Sequence, residues 1–220
     1  PEFWAKTEDR LLEELTEGKR LRTPVSLVYH SLDEVNEKLR LGRFFFIDIA
    51  REGIVHFEEP GHPFIEPHQL SAREALEETR AFFEKWFESA STFLKTGIDL
   101  REQGHPNESA FLLHQATERL YQCLFLVRTL YTPKTHNLNR LRALAESMEP
   151  SLKEVWPAST REEKRAYARL REAYINARYS REYRVTSEQL EWLGSRVELL
   201  KTLVERSCRA RLETLEEAAA

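Results

Sequence analysis

The residues best suited to bind an anion are concentrated between positions 161 and 184. This stretch holds eight arginines and lysines against four glutamates, a local charge of +4. It also holds four of the seven tyrosines of the chain, Tyr167, Tyr174, Tyr179 and Tyr183. One arginine side chain can donate two parallel hydrogen bonds to the oxygens of a phosphate, and aromatic rings stack on nucleobases. The composition therefore favours a surface for a nucleotide or an RNA phosphate.

A purely structural interpretation of the same stretch stays open. Tyr167 and Tyr174 lie at the spacing expected for the core face of a helix. Basic side chains near a helix C-terminus, such as those of NARYSREYR at 176–184, are also favoured by the helix dipole alone. Composition by itself does not decide between a binding surface and a helix end.

Other combinations of residues give weaker evidence for chemistry. His114, Glu118 and Tyr121 recur at i, i+4 and i+7 on one helical stripe, where an acid/base or metal role is conceivable. A polar edge on a core helix is favoured, since no HExxH motif or second carboxylate cluster supports a metal. Cys123 and Cys208 have no reactive or metal-binding context. We predict no catalytic residue, no metal and no cofactor.

The composition is typical of a helix-rich cytoplasmic protein. Of 220 residues, 41% are hydrophobic and 32% charged, with only 7 glycines. The net charge of −4 argues against broad coating of nucleic acid, and no apolar run is long enough to span a membrane. Two isolated cysteines exclude a disulfide framework. The chain begins PEFWAK without Met, so we expect it to be a piece of a longer protein.

The segments after Ser71 predict a mainly α fold. Apolar residues recur at helical spacing over 72–102, 107–131 and 159–178, with a short helix capped by Thr135 and a last helix capped by Thr186. Short connections between long helices indicate an up-and-down antiparallel bundle over 72–213, followed by a tail at 214–220.

The residues before this bundle predict a small α/β remnant. A helix ends at Gly18, and the runs at 23–30 and 54–58 are predicted as two strands. Between them, Ser31 and Glu34 form a capping box for a helix that stops at Gly42, and a further helix stops at Gly53. The proline-rich stretch 59–71 is predicted as the linker that separates 1–58 from the bundle.

Two parts of the chain resemble known families. ESAFLLHQATERLYQCLFLVRTLYTPKTHNLNRLRAL, followed later by AYINARYS, is similar to the HEPN family of helical domains. The resemblance implies a helical bundle that is often dimeric. The preceding PVSLVYHSLDEVNEKLRLGRFFFIDIAREGIVHFEE resembles the C-terminal edge of a minimal nucleotidyltransferase, a frequent HEPN partner. The catalytic centre of such an enzyme uses a Gly-Ser motif and a pair of aspartates, and no Gly-Ser pair precedes the predicted strand at 23–30, which itself carries no carboxylate.

The resemblance also identifies candidate site residues. HEPN ribonucleases carry Arg-x(4–6)-His, whose arginine matches Arg178, but Tyr183, Arg184 and Val185 stand where the histidine is expected. Metal-independent RNA cleavage needs an acid/base group near neutrality, which imidazole supplies. The resemblance therefore implies the branch of the family that binds without catalysis. Phosphate binding is assigned to five residues: Arg178, Tyr179 as a stacking group, Asn176 as an orienting amide, Lys134 and His136.

The leading hypothesis is a module that binds a nucleotide or nucleic-acid phosphate, acts as the accessory half of a nucleotidyltransferase–HEPN protein and pairs with itself or with the transferase. The first alternative is a ribonuclease toxin of a toxin–antitoxin or defence system. The second is a dimerisation bundle without a ligand, in which Arg178 packs against a helix end or a carboxylate.

Overall fold

The described part of the protein is mainly helical. The computed structural model describes residues 27–220 and the isolated positions 6, 7, 10, 11, 14 and 25. Between 27 and 220 the chain forms seven α-helices and one 3-10 helix. They are α1 (Leu32–Arg40), α2 (Phe44–Glu52), α3 (Ala72–Glu102), α4 (Pro106–Thr129), α5 (Leu138–Met148), the 3-10 helix (Pro150–Glu154), α6 (Arg161–Tyr179) and α7 (Ser187–Ala219).

Local capping explains where most of these helices begin. Four helices begin with a capping box. In each, the cap hydroxyl accepts from the third helical N–H, and the Glu or Gln side chain at that third position accepts from the backbone N–H of the cap residue. The cap residues are Ser31, Ser71, Thr160 and Thr186. The cap of α5 differs from the prediction. Asn137, not Thr135, accepts from the first turn of the helix, whereas the Thr135 hydroxyl accepts from the backbone of Asn137.

The core is built around α4, which contacts α3, α5, α6 and α7. Its residues predicted to face inward are all buried: Leu113, Ala116, Leu120, Cys123, Val127 and Leu130. A Cβ at Gly97 of α3 would lie only 3.4 Å from Leu112 and Leu113, and the Ser109 hydroxyl donates to the Gly97 carbonyl over 2.7 Å. The two helices therefore approach closely at this glycine. No helix in the part of the chain described here is both long and apolar enough to cross a membrane.

The segment before α3 packs on the bundle through a separate small core. Leu39 of α1 and Phe46 and Ile47 of α2 are buried together, and Tyr131 of the bundle packs against them. The Phe45 ring stacks on Tyr131 with centroids 4.2 Å apart. This contact places the N-terminal helices beside the turn that follows α4.

The two predicted strands are wrong. Residues 54–58 form no strand, and Ile54, Val55 and Phe57 are exposed. Of the predicted strand 23–30, positions 25 and 27–30 are not in a strand, and the others lie outside the described residues, as does most of the helix predicted to end at Gly18. β-branched residues form a strand only where a neighbour accepts their backbone hydrogen bonds, and no described segment supplies one.

Candidate functional site

A buried carboxylate on α4 holds an imidazole from the turn between α4 and α5. The His136 Nδ1 lies 3.1 and 3.0 Å from the two Glu118 oxygens, and Gln122 donates to the same carboxylate over 3.1 Å. Because a carboxylate only accepts, this contact assigns the His136 proton to Nδ1 and directs Nε2 away from Glu118. Glu118 is 4% exposed, whereas the His136 side chain is 56% exposed.

His114 lies beneath this pair and is fully buried. Its Nδ1 is 3.4 Å from the Gln115 amide and 3.9 Å from Glu118. Burial, followed by electrostatic effects of the neighbouring His136 and Arg178 side chains, lowers the pKa of His114 to about 4. At neutral pH His114 is therefore an uncharged part of the core and does not compete with His136 for the Glu118 carboxylate.

The ring of Tyr174 joins this cluster to Arg178. His136 stacks on the ring with centroids 4.3 Å apart and planes 16° apart, and His114 lies 5.3 Å away. The Arg178 guanidinium carbon is 4.8 Å from the Tyr174 centroid and 4.9 Å from that of Phe111. The Tyr174 ring, an aromatic platform for both groups, is therefore in contact with an imidazole and a guanidinium.

Arg178 is exposed at the end of α6 and keeps unused hydrogen-bonding capacity. Its Nε donates to the Tyr174 carbonyl over 2.8 Å, and its Nη2 donates to the same oxygen. In the described part of the chain, no carboxylate lies within ion-pair distance of it. A guanidinium fixed by a carbonyl and aromatic rings retains its full charge and free N–H groups for an anion.

Two other predicted site residues lie near Arg178, and a third does not. The Tyr179 ring is 5.0 Å from the guanidinium and 75% exposed, and Asn176 lines a groove between α5 and α6. Lys134 instead donates to Glu34 of α1 over 2.7 Å. This hydrogen bond is the main reason why the pKa of Glu34 falls to about 2. Lys134 therefore faces the N-terminal helices.

Tyr183 does not replace the histidine expected near its position. It is 2% exposed, its hydroxyl donates to the Arg169 carbonyl over 2.9 Å, and burial raises the pKa of the phenol. Tyr121, the third residue of the α4 stripe, also leaves the site, because its hydroxyl accepts from Trp156 Nε1 over 2.8 Å. Both phenols are structural.

No metal site accompanies these groups. Over the residues that the structure describes, no three His, Cys, Asp or Glu side chains are grouped so as to hold a metal ion. The chemistry on offer at this edge of the bundle is therefore that of one exposed guanidinium, one oriented imidazole and a shared aromatic platform.

The fold and this site define a helical bundle whose open edge displays an arginine and a histidine on a tyrosine. The sequence pattern of the HEPN domain matches residues 83–207, more than half of the chain. The chain therefore belongs to the HEPN family, which comprises nucleotide-binding and RNase-like helical modules. No curated protein has a significantly similar sequence.

Two contributors to the site were not predicted from sequence. Glu118 was identified only as part of the α4 stripe, and its partner His136 lies 18 residues further along the chain. Phe111, which lies under Arg178, belongs to the first turns of the same helix. The spacing of His114 and Glu118 at i and i+4 on α4 was the available sequence signal for these residues. This spacing does not indicate which other element the two side chains face.

Proposed function

We propose that this HEPN domain binds the phosphate of a nucleotide or nucleic acid at the edge formed by Arg178, His136 and Tyr174. The observation that carries the proposal is the state of Arg178. It is exposed and held in place, and it has no acidic partner among the described residues. An arginine that only closes a helix end does not need an imidazole from another element stacked on the same ring.

The surrounding charges support the same conclusion. His136 reaches the edge from another element, so an imidazole and a guanidinium of independent origin both contact the Tyr174 ring. The one acid in contact with them, Glu118, is buried behind the imidazole. Glu172, which lines the adjoining groove, is paired with Arg169 over 2.8 Å, so neither of these two nearby carboxylates is left without a partner.

Titration of fluorescently labelled ATP against wild type and Arg178→Ala tests the proposal. Loss of a charge-assisted hydrogen bond is expected to weaken binding about tenfold to a hundredfold. Arg165→Ala is the matched control, because it removes the same charge from the exposed surface near the other end of α6. Equal affinities for all three proteins, or no binding by wild type, would contradict the proposal.

Metal-independent cleavage of RNA is a second candidate function, and the Glu118–His136 pair favours it. The sequence lacks a histidine after Arg178, yet the fold brings an imidazole to the ring on which Arg178 rests. A buried carboxylate that orients an imidazole is suited to acid/base chemistry. Incubation with RNA in the presence of EDTA tests it. Cleavage by wild type that is lost in both His136→Ala and Arg178→Ala would make this the better assignment.

The partnership with a nucleotidyltransferase and self-association are part of the proposal. The proposal of a transferase partner rests on the sequence resemblance of the segment before α3 alone, because the described residues of that segment contain no strand. Exposed Ile54, Val55 and Phe57 between α2 and α3, at 82%, 71% and 78%, offer apolar area for a second copy. Sedimentation of wild type and Phe57→Glu tests the dimer, which this substitution is expected to dissociate.

A further inference from the structure

A groove runs from His136 and Tyr174 along the cleft between the start of α5 and the end of α6. Its volume is about 570 Å³, within the range typical of small-molecule sites. His136 and Tyr174 line it together with Asn139, Ile175 and Asn176. Because His136 and Tyr174 also belong to the proposed phosphate site, the groove adjoins that site, and its volume can take more than a phosphate.

Two side-chain amides in this groove are unused. Asn139 is exposed and Asn176 is half-buried, and neither side chain makes a hydrogen bond in the part of the chain that the structure describes. Asn137 is different, because its carbonyl oxygen accepts from the backbone of Asn139 and Arg140 over 3.0 and 3.2 Å. Of the three groove asparagines, one is committed to capping α5 and two remain available to a ligand.

An exposed apolar side chain lies between these polar groups. Ile175 is 59% exposed although α6 has a buried face available through Leu170 and Ala173. It precedes Asn176 directly and lines the same groove. A flat aromatic ligand would cover this apolar surface while its edge meets the amides, an arrangement that suits a nucleobase.

The charged groups of the groove narrow the choice of base. Glu172 is paired with Arg169 over 2.8 Å, so its carboxylate is engaged. Arg171 also lines the groove, and its guanidinium carbon contacts the Tyr167 ring at 5.6 Å from the centroid. Guanine is read best by two donors of one arginine, whereas an amide presents a donor beside an acceptor and matches adenine. The two free asparagine amides therefore favour adenine, while the arginine of the lining is in contact with the Tyr167 ring.

We propose that the groove holds the nucleoside of an adenine nucleotide, with Asn176 and Asn139 at the edge of the base and Ile175 against its face. This inference rests on the proposed function, because Arg178 and His136 bind the phosphates of the same ligand. It adds a base-specific contact that the family match does not assign.

Competitive titration with ATP, GTP, CTP, UTP and inorganic tripolyphosphate tests the inference. Wild type is expected to bind ATP about tenfold more tightly than tripolyphosphate and more tightly than the other nucleotides. The double variant Asn139→Ala/Asn176→Leu is expected to bind ATP no better than tripolyphosphate, with its affinity for tripolyphosphate unchanged. Asn176→Gln, which keeps the amide, is expected to retain part of the preference.

The outcomes separate the groove from the phosphate site. If wild type binds ATP and tripolyphosphate equally, or prefers another base, the adenine assignment is overturned and phosphate binding stands. If wild type binds neither, the proposed function fails, and the groove assignment fails with it. Thermal unfolding of each variant checks that a loss of base preference is not caused by unfolding. An unchanged affinity for tripolyphosphate checks that the phosphate site is intact in the same variant.

Discussion

The two halves of α6 use the same residue types for opposite purposes. In the first half, Tyr167 packs 4.8 Å from the Trp156 ring, and Arg142 lies 5.3 Å from Tyr167. In the second half, Tyr174 carries His136 at 4.3 Å and Arg178 at 4.8 Å. Each half therefore pairs a tyrosine with a second ring and an arginine. In the first half, called the closed half below, these groups pack inside the protein, whereas in the second, the open half, the arginine is exposed to solvent.

The difference lies in what satisfies the arginine. Arg142 donates to Glu146 and to the Trp156 carbonyl, so its charge and its N–H groups are both engaged inside the protein. Arg178 donates hydrogen bonds only to a backbone carbonyl of its own helix, and no carboxylate among the described residues neutralises its charge. Aromatic and basic residues together therefore do not identify a binding surface until their acidic partners are known.

The largest effect on stability is expected in the closed half. Trp156→Ala removes a side chain that is 1% exposed and leaves the Tyr121 hydroxyl without its donor. We expect a loss of about 3–5 kcal/mol in the free energy of unfolding, measured by urea denaturation. Arg178→Ala is expected to change it by less than about 0.5 kcal/mol. Similar losses for both variants would show that the two halves are one structural unit.

The next effect is the acid sensitivity of the open half. Because burial lowers the pKa of His114 to about 4, the unfolded chain, with a usual pKa near 6.5, binds more protons between these two values. The stabilisation from neutral His114 is present above about pH 6.5 and is lost as the pH falls toward 4, at a cost approaching about 3 kcal/mol. The groups facing this imidazole are Glu118, His136, Tyr174 and Arg178.

Urea denaturation of wild type and His114→Leu between pH 4 and 8 measures this effect. The leucine variant has no imidazole to protonate, so its unfolding free energy is expected to fall less steeply over the same interval. If the two proteins lose stability in parallel, the acid sensitivity belongs to other groups. The midpoint of each protein at pH 8 is the control for the packing change that the substitution itself introduces.

Much of the bundle was predictable because the sequence signals for a helix, its cap and its apolar period, lie within the helix itself or directly beside it. Ser31, Ser71 and Thr186 occupy caps that three or four neighbouring residues define, and the apolar stripe of α4 follows its own period. The strand at 54–58 was wrong for the complementary reason. A strand depends on a partner elsewhere in the chain, and β-branched composition does not report whether that partner exists.

The site was less predictable because its central contact is not local. Arg178 and His136 were both identified, the first through resemblance and the second as a turn residue. What they share, the Tyr174 ring and the Glu118 carboxylate, depends on how α4, α6 and the turn after α4 pack together. Spacing along one helix relates His114 to Glu118, and it carries no information about a third element.

A matched pair of substitutions compares the two tyrosines directly. Tyr167→Leu is expected to cost about 1–3 kcal/mol of unfolding free energy, because its ring packs in the closed half. Tyr174→Leu is expected to cost less and to weaken nucleotide binding about tenfold, since it removes the platform beneath His136 and Arg178. Thermal unfolding and ATP titration of both variants measure this, and it is wrong if Tyr167→Leu causes the larger loss of binding at equal folded fraction.

The smallest effect is expected from Lys134, although it lies on the same turn as His136. Its ammonium is engaged by Glu34 over 2.7 Å on the side that faces α1. Because this ammonium is directed away from Arg178, Lys134→Ala should change ATP affinity by less than about twofold. The loss of an exposed ion pair of this kind should also change the free energy of unfolding very little. His136→Ala, two residues away, is the control and should weaken binding clearly. If Lys134→Ala matches Arg178→Ala instead, Lys134 leaves Glu34 when ligand binds, and the phosphate site extends across the turn to the N-terminal helices.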